Sequence, residues 1–260
     1  MHMRQAIRLA LACTLLACAA LFPKAAAGKR PTPLARSRQL IVVTTRGWDE
    51  VPGTLRRFER KGTAAAWSQV GQEVPVAVGR KGLGWGAGLV ETGEREGPQK
   101  REGDGKAPAG LFALGTAFGF APLREAAWLR LPYTPLTPSV ECVDDTASRR
   151  YNLIVDRASI SDVDWNSSEQ MRSVEGYRWG LVVRHNAAPP VAGHGSCIFL
   201  HVWAGPGHGT AGCTAMEEAS LTELLRWLDP KKGPLLVQLP EDEYARLRAA
   251  WRLPAVAFHK

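Results

Sequence analysis

A histidine and a cysteine twelve positions apart, His201 and Cys213, carry the chemistry this sequence offers. His201 follows an apolar run, Cys197-Ile198-Phe199-Leu200, that reads with Val202 and Trp203 as a buried strand. A turn-rich segment, Gly205-Pro206-Gly207-His208-Gly209, ends that strand and leads to Thr210-Ala211-Gly212-Cys213. A loop of that length can fold back and bring imidazole and thiol together. Thiol plus imidazole is the minimum equipment for covalent acyl transfer. A free thiol titrates near pH ~8.5, so a neighbouring base is needed to generate the nucleophile at neutral pH. Gly212 allows a tight backbone bend, and the Gly212 and Cys213 amides are placed to receive an oxyanion. The competing reading is a buried cysteine beside a core histidine, since cysteine is among the most buried residue types.

The same stretch resembles the catalytic domain of the L,D-transpeptidases, cysteine acyltransferases of bacterial peptidoglycan. Three elements carry the resemblance: His201 on a strand, the loop ending Thr210-Ala211-Gly212-Cys213, and the apolar Met216 three positions on. Upstream, Lys100 to Gly110 (KREGDGKAPAG) resembles that family's glycine-rich segment. The resemblance spans roughly residues 39–239. It implies a mainly β, sandwich- or barrel-like catalytic domain with a few short helices. It further implies Cys213 as nucleophile, His201 as base, no cofactor, and peptidoglycan stem peptides as substrate. Thr210, Asp144, Tyr151 and His208 are the residues it places on the substrate side. The chain departs from the commoner Ser-His-Gly-Cys pattern at Ala211, and Ala215 stands where an arginine is usual. A divergent branch is implied, with a stem-peptide amine or water as acceptor. A non-catalytic wall-binding module is a further alternative.

Other chemistries fit less well. His194, His201, His208 and Cys213 suit zinc by type, but their spacing matches no compact finger and no H-E-x-x-H helix. The glycines at 82, 84, 86 and 88 are not a dinucleotide fingerprint, because Ala87 stands where a glycine is needed; they read as backbone hugging a neighbour or an extended substrate. The adjacent Asp144 and Asp145 point to opposite faces of an extended chain, which favours turn-forming roles.

Composition places these residues in a globular protein: 45% of residues are hydrophobic and 22% charged. The net charge is +8, scattered without a basic run, which argues against a nucleic-acid arm and suits an anionic polymer or simple solubility. Residues 1–27 read as a signal peptide: Arg4 and Arg8, an apolar core from Leu9 to Phe22 too short to span a bilayer, then Ala25-Ala26-Ala27. Leu15-Leu16-Ala17-Cys18 also resembles a lipoprotein signal, with anchoring at Cys18. The expected location is the periplasm or cell envelope. Export leaves Cys142, Cys197 and Cys213. Either the first two pair and Cys213 stays free, or all three are reduced.

The elements that position the dyad follow from patterning. Residues 28–38 read as a flexible linker, and Gln39 to Thr45 as a first strand. Residues 54–60 fit a helical turn or an edge strand, and 64–70 and 74–78 fit two strands split by Gly71. A turn at 106–110 feeds a strand over 111–114. Residues 118–138 form a long loop with one short helix at 123–129. Strands follow at 151–156 and 180–184, with a short helix between them over 162–171 that leaves Asp164, Trp165 and Glu169 exposed. Leu221, Leu224, Leu225 and Leu228 make a helical stripe over 217–228. A strand at 235–239 and a terminal helix at 241–251 complete a single domain over 39–240 with a helical tail.

Overall fold

In the computed structural model, residues 33–90, 95–187 and 189–258 are described. The expected signal peptide, residues 1–27, lies outside them. Thirteen strands and two helices follow in order: β1 Gln39–Thr45, β2 Pro52–Glu59, β3 Ser68–Ala77, β4 Leu83–Trp85, β5 Ala107–Gly119, β6 Tyr133–Pro135, β7 Val140–Val143, β8 Ile154–Asp156, β9 Ser168–Gln170, β10 Trp179–Val183, β11 Phe199–Val202, β12 Thr214–Met216, α1 Glu218–Trp227, β13 Leu235–Pro240 and α2 Glu241–Trp251. The architecture is mainly β, as expected.

Eight strands close into a barrel-like ring, β10-β11-β12-β3-β2-β1-β13-β5, with β5 pairing back onto β10. β4 and β6 add to β5 outside the ring. The uninterrupted apolar run of β1 is explained by its place: it lies between β2 and a parallel β13, and all of its residues are buried. Leu40, Val42, Leu111, Leu181, Leu200, Val202 and Val237 belong to the main core. Both helices pack on this core. Leu221, Leu224 and Leu225 of α1 and Tyr244, Leu247 and Trp251 of α2 are buried in it.

A second, three-stranded sheet, β8-β7-β9, lies beside the ring as a flap. Glu141 pins it. Its buried carboxylate accepts from Arg157 at 3.2 Å, the Trp165 indole at 2.8 Å, Ser168 at 2.6 Å and Gln170. Four donors offset the cost of burying the charge. A disulfide between Cys142 of β7 and Cys197, two residues before β11, ties flap to barrel. A second apolar cluster fills the space between them, including Phe118, Cys142, Met171, Tyr177, Phe199 and Cys213.

Several local expectations change. Residues 54–60 are neither helix nor edge: β2 sits inside the ring. The two strands expected around Gly71 are one strand, β3, with a register shift opposite Leu55 and Arg57; Gly71 takes φ 70°, a value that costs glycine little. The expected turn at 106–110 is the start of β5, Pro108 included, because Pro108 needs only its carbonyl, which accepts from Gln238 at 3.0 Å. The segment 151–156 is strand only from Ile154, since Asn152 turns the chain at φ 65°. No helix forms over 162–171. Trp165 is buried on Glu141 rather than exposed, and Glu169 lies in β9 opposite Cys142. The described end of the expected linker is docked: Leu34 is buried and its carbonyl accepts from Arg60.

Candidate active site

Strand alternation puts the imidazole and the thiol on one face. In β11, Leu200 and Val202 enter the main core, so Phe199 and His201 point the other way, toward the flap. In β12, Met216 and Thr214 face inward, which turns Cys213 and Ala215 outward. The two strands pair in parallel, with Leu200 opposite Thr214 and His201 opposite Ala215. His201 and Cys213 are therefore diagonal neighbours on the flap-facing side. A parallel pair needs a crossover, and residues 203–213 supply it.

Both side chains line one cavity of about 630 Å³. Its wall also carries Lys100, Glu102, Asp144, Glu169, Tyr177, His208, Thr210 and Gly212. Cys213 is a free thiol and nearly fully buried, at 6% exposure. The Phe199 N–H donates to its sulfur at 3.3 Å, and the thiol donates to the Cys197 carbonyl at 3.5 Å. Among the described residues, His201 does not hydrogen-bond the thiol. Such bonds commonly tighten only when substrate is bound.

The His201 ring is held from two sides. Its Nδ1–H donates to the Val202 carbonyl at 2.8 Å, so the hydrogen sits on Nδ1 and the Nε2 lone pair is left as the base. Tyr177 meets the imidazole edge-on, with centroids 5.2 Å apart. Gly176 closes against it: a Cβ there would lie 2.5 Å from the Val202 carbonyl oxygen and 3.1 Å from His201 Nδ1.

Burial decides the resting protonation. It pushes the Cys213 thiol up to about 12, and the nearby Glu169 carboxylate adds to the shift; the Phe199 amide, Tyr177 and the Lys100 charge oppose it. Burial likewise lowers His201. The resting pair is therefore a neutral thiol and a neutral imidazole rather than an ion pair.

The loop residues take roles that differ from those expected. Gly212 is not in the left-handed region. Its glycine suits close packing instead, since a Cβ would meet the Lys106 carbonyl at 3.3 Å and Ile198 at 3.4 Å. Its N–H donates to Thr210 Oγ1 at 3.1 Å, while that hydroxyl donates to the Cys213 carbonyl at 2.6 Å. Thr210 thus shapes the turn, and of the two candidate oxyanion donors the Gly212 amide is already engaged. Tyr151 does not line the cavity. It is buried behind the wall, and its hydroxyl donates to Glu102, which Ser196 also contacts at 2.8 Å. Asp144 does line the cavity and accepts from Ser167. His208 is exposed at the crossover turn on the same cavity. His194 is not among the lining residues, and no group of three metal-ligating side chains occurs among the described residues.

Three further lining residues bear on the chemistry, none of them a site residue by its sequence context. Lys100 is buried and ion-paired with Asp104 at 2.6 Å. Tyr177 is buried in the turn before β10. Glu169 accepts from the Tyr177 hydroxyl at 2.8 Å. The glycine-dense segment before Lys100 does hug its neighbours: a Cβ at Gly82 would lie 2.0 Å from the Trp48 carbonyl oxygen.

No known family, curated protein or solved structure matches this chain. Among the described residues no helix is long and apolar enough to cross a membrane.

Proposed function

We propose that the protein is a cysteine acyltransferase of the L,D-transpeptidase type, acting on peptidoglycan stem peptides. The observation that carries this reading is a free thiol and an imidazole with an available Nε2, diagonal neighbours on one face of the β11–β12 pair and lining one cavity. The resemblance of the 201–216 segment and of the 100–110 segment supports the substrate class.

Cys213 Sγ attacks the carbonyl of the bond between a third-position diamino acid and a terminal D-alanine. His201 Nε2 takes the thiol proton and returns it to the departing amine. The C–N bond breaks and a thioester forms. An amine from a second stem then attacks the thioester, forms the cross-link and restores the thiol. The Cys213 amide is the remaining backbone donor for the oxyanion, because Thr210 holds the Gly212 amide. Ala215 lines the cavity without charge, so Lys100 on the same wall is the cation that would meet a substrate carboxylate.

The test is intact mass after exposure to a carbapenem, an acyl donor that traps nucleophilic cysteines. A single adduct on Cys213, formed at least about tenfold more slowly in His201→Ala, is expected. No adduct, or one on another cysteine, overturns the assignment. With defined muropeptides, a larger cross-linked product identifies transfer, and a smaller one identifies hydrolysis.

A further inference from the structure

The two faces of the flap provide for their carboxylates unequally. Across the β7–β9 pair, Glu141 lies opposite Gln170 and Cys142 opposite Glu169. Strand alternation then puts Cys142, Asp144 and Glu169 on one face and Glu141 on the other. The Cys142–Cys197 bond turns the first face toward the barrel, and Asp144 and Glu169 both line the cavity that holds Cys213 and His201. Glu141, on the outer face, is given four donors, one of them the Arg157 guanidinium. On the inner face, one hydroxyl serves each carboxylate: Ser167 donates to Asp144, and Tyr177 donates to Glu169 at 2.8 Å. No cation of the chain pairs with either of them among the described residues. Half-buried carboxylates without a counter-charge are costly. Burial and the like charge of Asp144 raise Glu169 accordingly.

The other titratable groups on the cavity do not supply the missing cation. The Lys100 ammonium has two of its three N–H bonds on Asp104 and the Arg101 carbonyl, both at 2.6 Å. Glu102 adds a third carboxylate, held by the Tyr151 and Ser196 hydroxyls. His201 is lowered by burial, and His208 stands exposed at the crossover turn. The inner flap face is thus built for a positive charge that the chain itself does not bring.

We propose that Asp144 and Glu169 hold the free ammonium of the donor's diamino acid, and so set donor specificity within the acyltransferase reading above, on which this rests. The group they hold is one that does not react. An amine between two carboxylates is kept protonated, and an ammonium has no lone pair with which to attack a thioester. The attacking amine of the second stem is therefore excluded from this place, and the donor's own side-chain ammonium fills it. Anchored there, the donor presents the neighbouring carbonyl to the thiol on the same cavity.

The test compares two donor tetrapeptides that differ only in that side-chain group, an ammonium in one and a hydroxyl in the other, by the D-alanine each releases. The exchange removes the charge while keeping the size and the scissile bond. The wild-type protein should use the ammonium donor about tenfold better or more, with the difference in KM rather than kcat. In Asp144→Asn/Glu169→Gln, whose amide oxygens still accept from Ser167 and Tyr177, that preference should be lost. Removing the Glu169 charge also eases ionisation of Cys213, but this acts on both donors alike and cancels in their ratio, as does any loss of folded protein. A wild-type protein indifferent to the exchange, or a double variant that keeps the preference, overturns the assignment. A wild-type protein that forms no carbapenem adduct, or frees D-alanine from neither peptide, overturns instead the acyltransferase reading, so the two failures are distinct.

Discussion

The Phe199 amide donates to the Cys213 sulfur at 3.3 Å across the parallel β11–β12 pair. The thiol is thus seated by backbone from the histidine's own strand. The rung that aligns Phe199 with Cys213 also sets His201 opposite Ala215, so any shift between these strands moves the base relative to the thiol.

The resting protonation predicts the pH profile. Cys213 is raised to about 12 by burial, and His201 is lowered by burial. Raising an acid's titration point keeps it protonated to higher pH, so the thiolate fraction grows tenfold per pH unit throughout the neutral range. Alkylation of free protein by iodoacetamide should therefore rise about tenfold per unit from pH 6 to 9 without a plateau. A plateau at neutral pH would reveal a preformed thiolate–imidazolium pair.

Gly176→Ala probes the histidine without removing any functional group. The new methyl would meet the Val202 carbonyl oxygen at 2.5 Å and His201 Nδ1 at 3.1 Å, which forces the imidazole from its seat. Carbapenem acylation should fall by about tenfold or more, since small misplacements of a reacting group are costly. Unfolding should show a loss of about 1–3 kcal/mol from the overpacking. Unchanged acylation would mean that His201 does not act from its present position.

The Cys142–Cys197 bond gives a third expectation. It closes a separation of 55 residues and fixes the flap that carries Asp144 and Glu169 over the thiol. The Cys142→Ser/Cys197→Ser variant should lose about 2–4 kcal/mol in denaturant unfolding. Its acylation should slow as well, because the Cys197 carbonyl meets the Cys213 thiol and flap residues line the same cavity. A variant with wild-type rate and stability would show that the bond has no such role.

Much of this was legible in the sequence because it is written locally. Helix α2 follows from Tyr244, Leu247 and Trp251 on one stripe. Strand β11 and the turn after it follow from an apolar run and a glycine-rich segment, whereas β12 is too short a run to read as a strand and forms between β11 and β3. The flap was not legible. Glu169 sits among polar residues and reads as solvent-exposed, yet pairing with Cys142 places it on the cavity wall. Trp165 is drawn inward by a buried Glu141 that is 24 residues away. Tyr177 stands alone in a polar stretch, and only the three-dimensional meeting of Phe118, Phe199 and His201 gives it a seat. Thr210 fits a substrate contact by position, but its hydroxyl has two loop partners closer at hand.

Keeping Cys213 buried and protonated has a chemical consequence of its own. Any setting that closes the neighbouring Cys142–Cys197 bond also threatens a reactive sulfur with sulfenic acid formation or a wrong partner, and both begin from the anion. A sulfur that stays protonated at rest is slow toward peroxides and passing disulfides, so the folded protein outlasts the conditions that complete its fold.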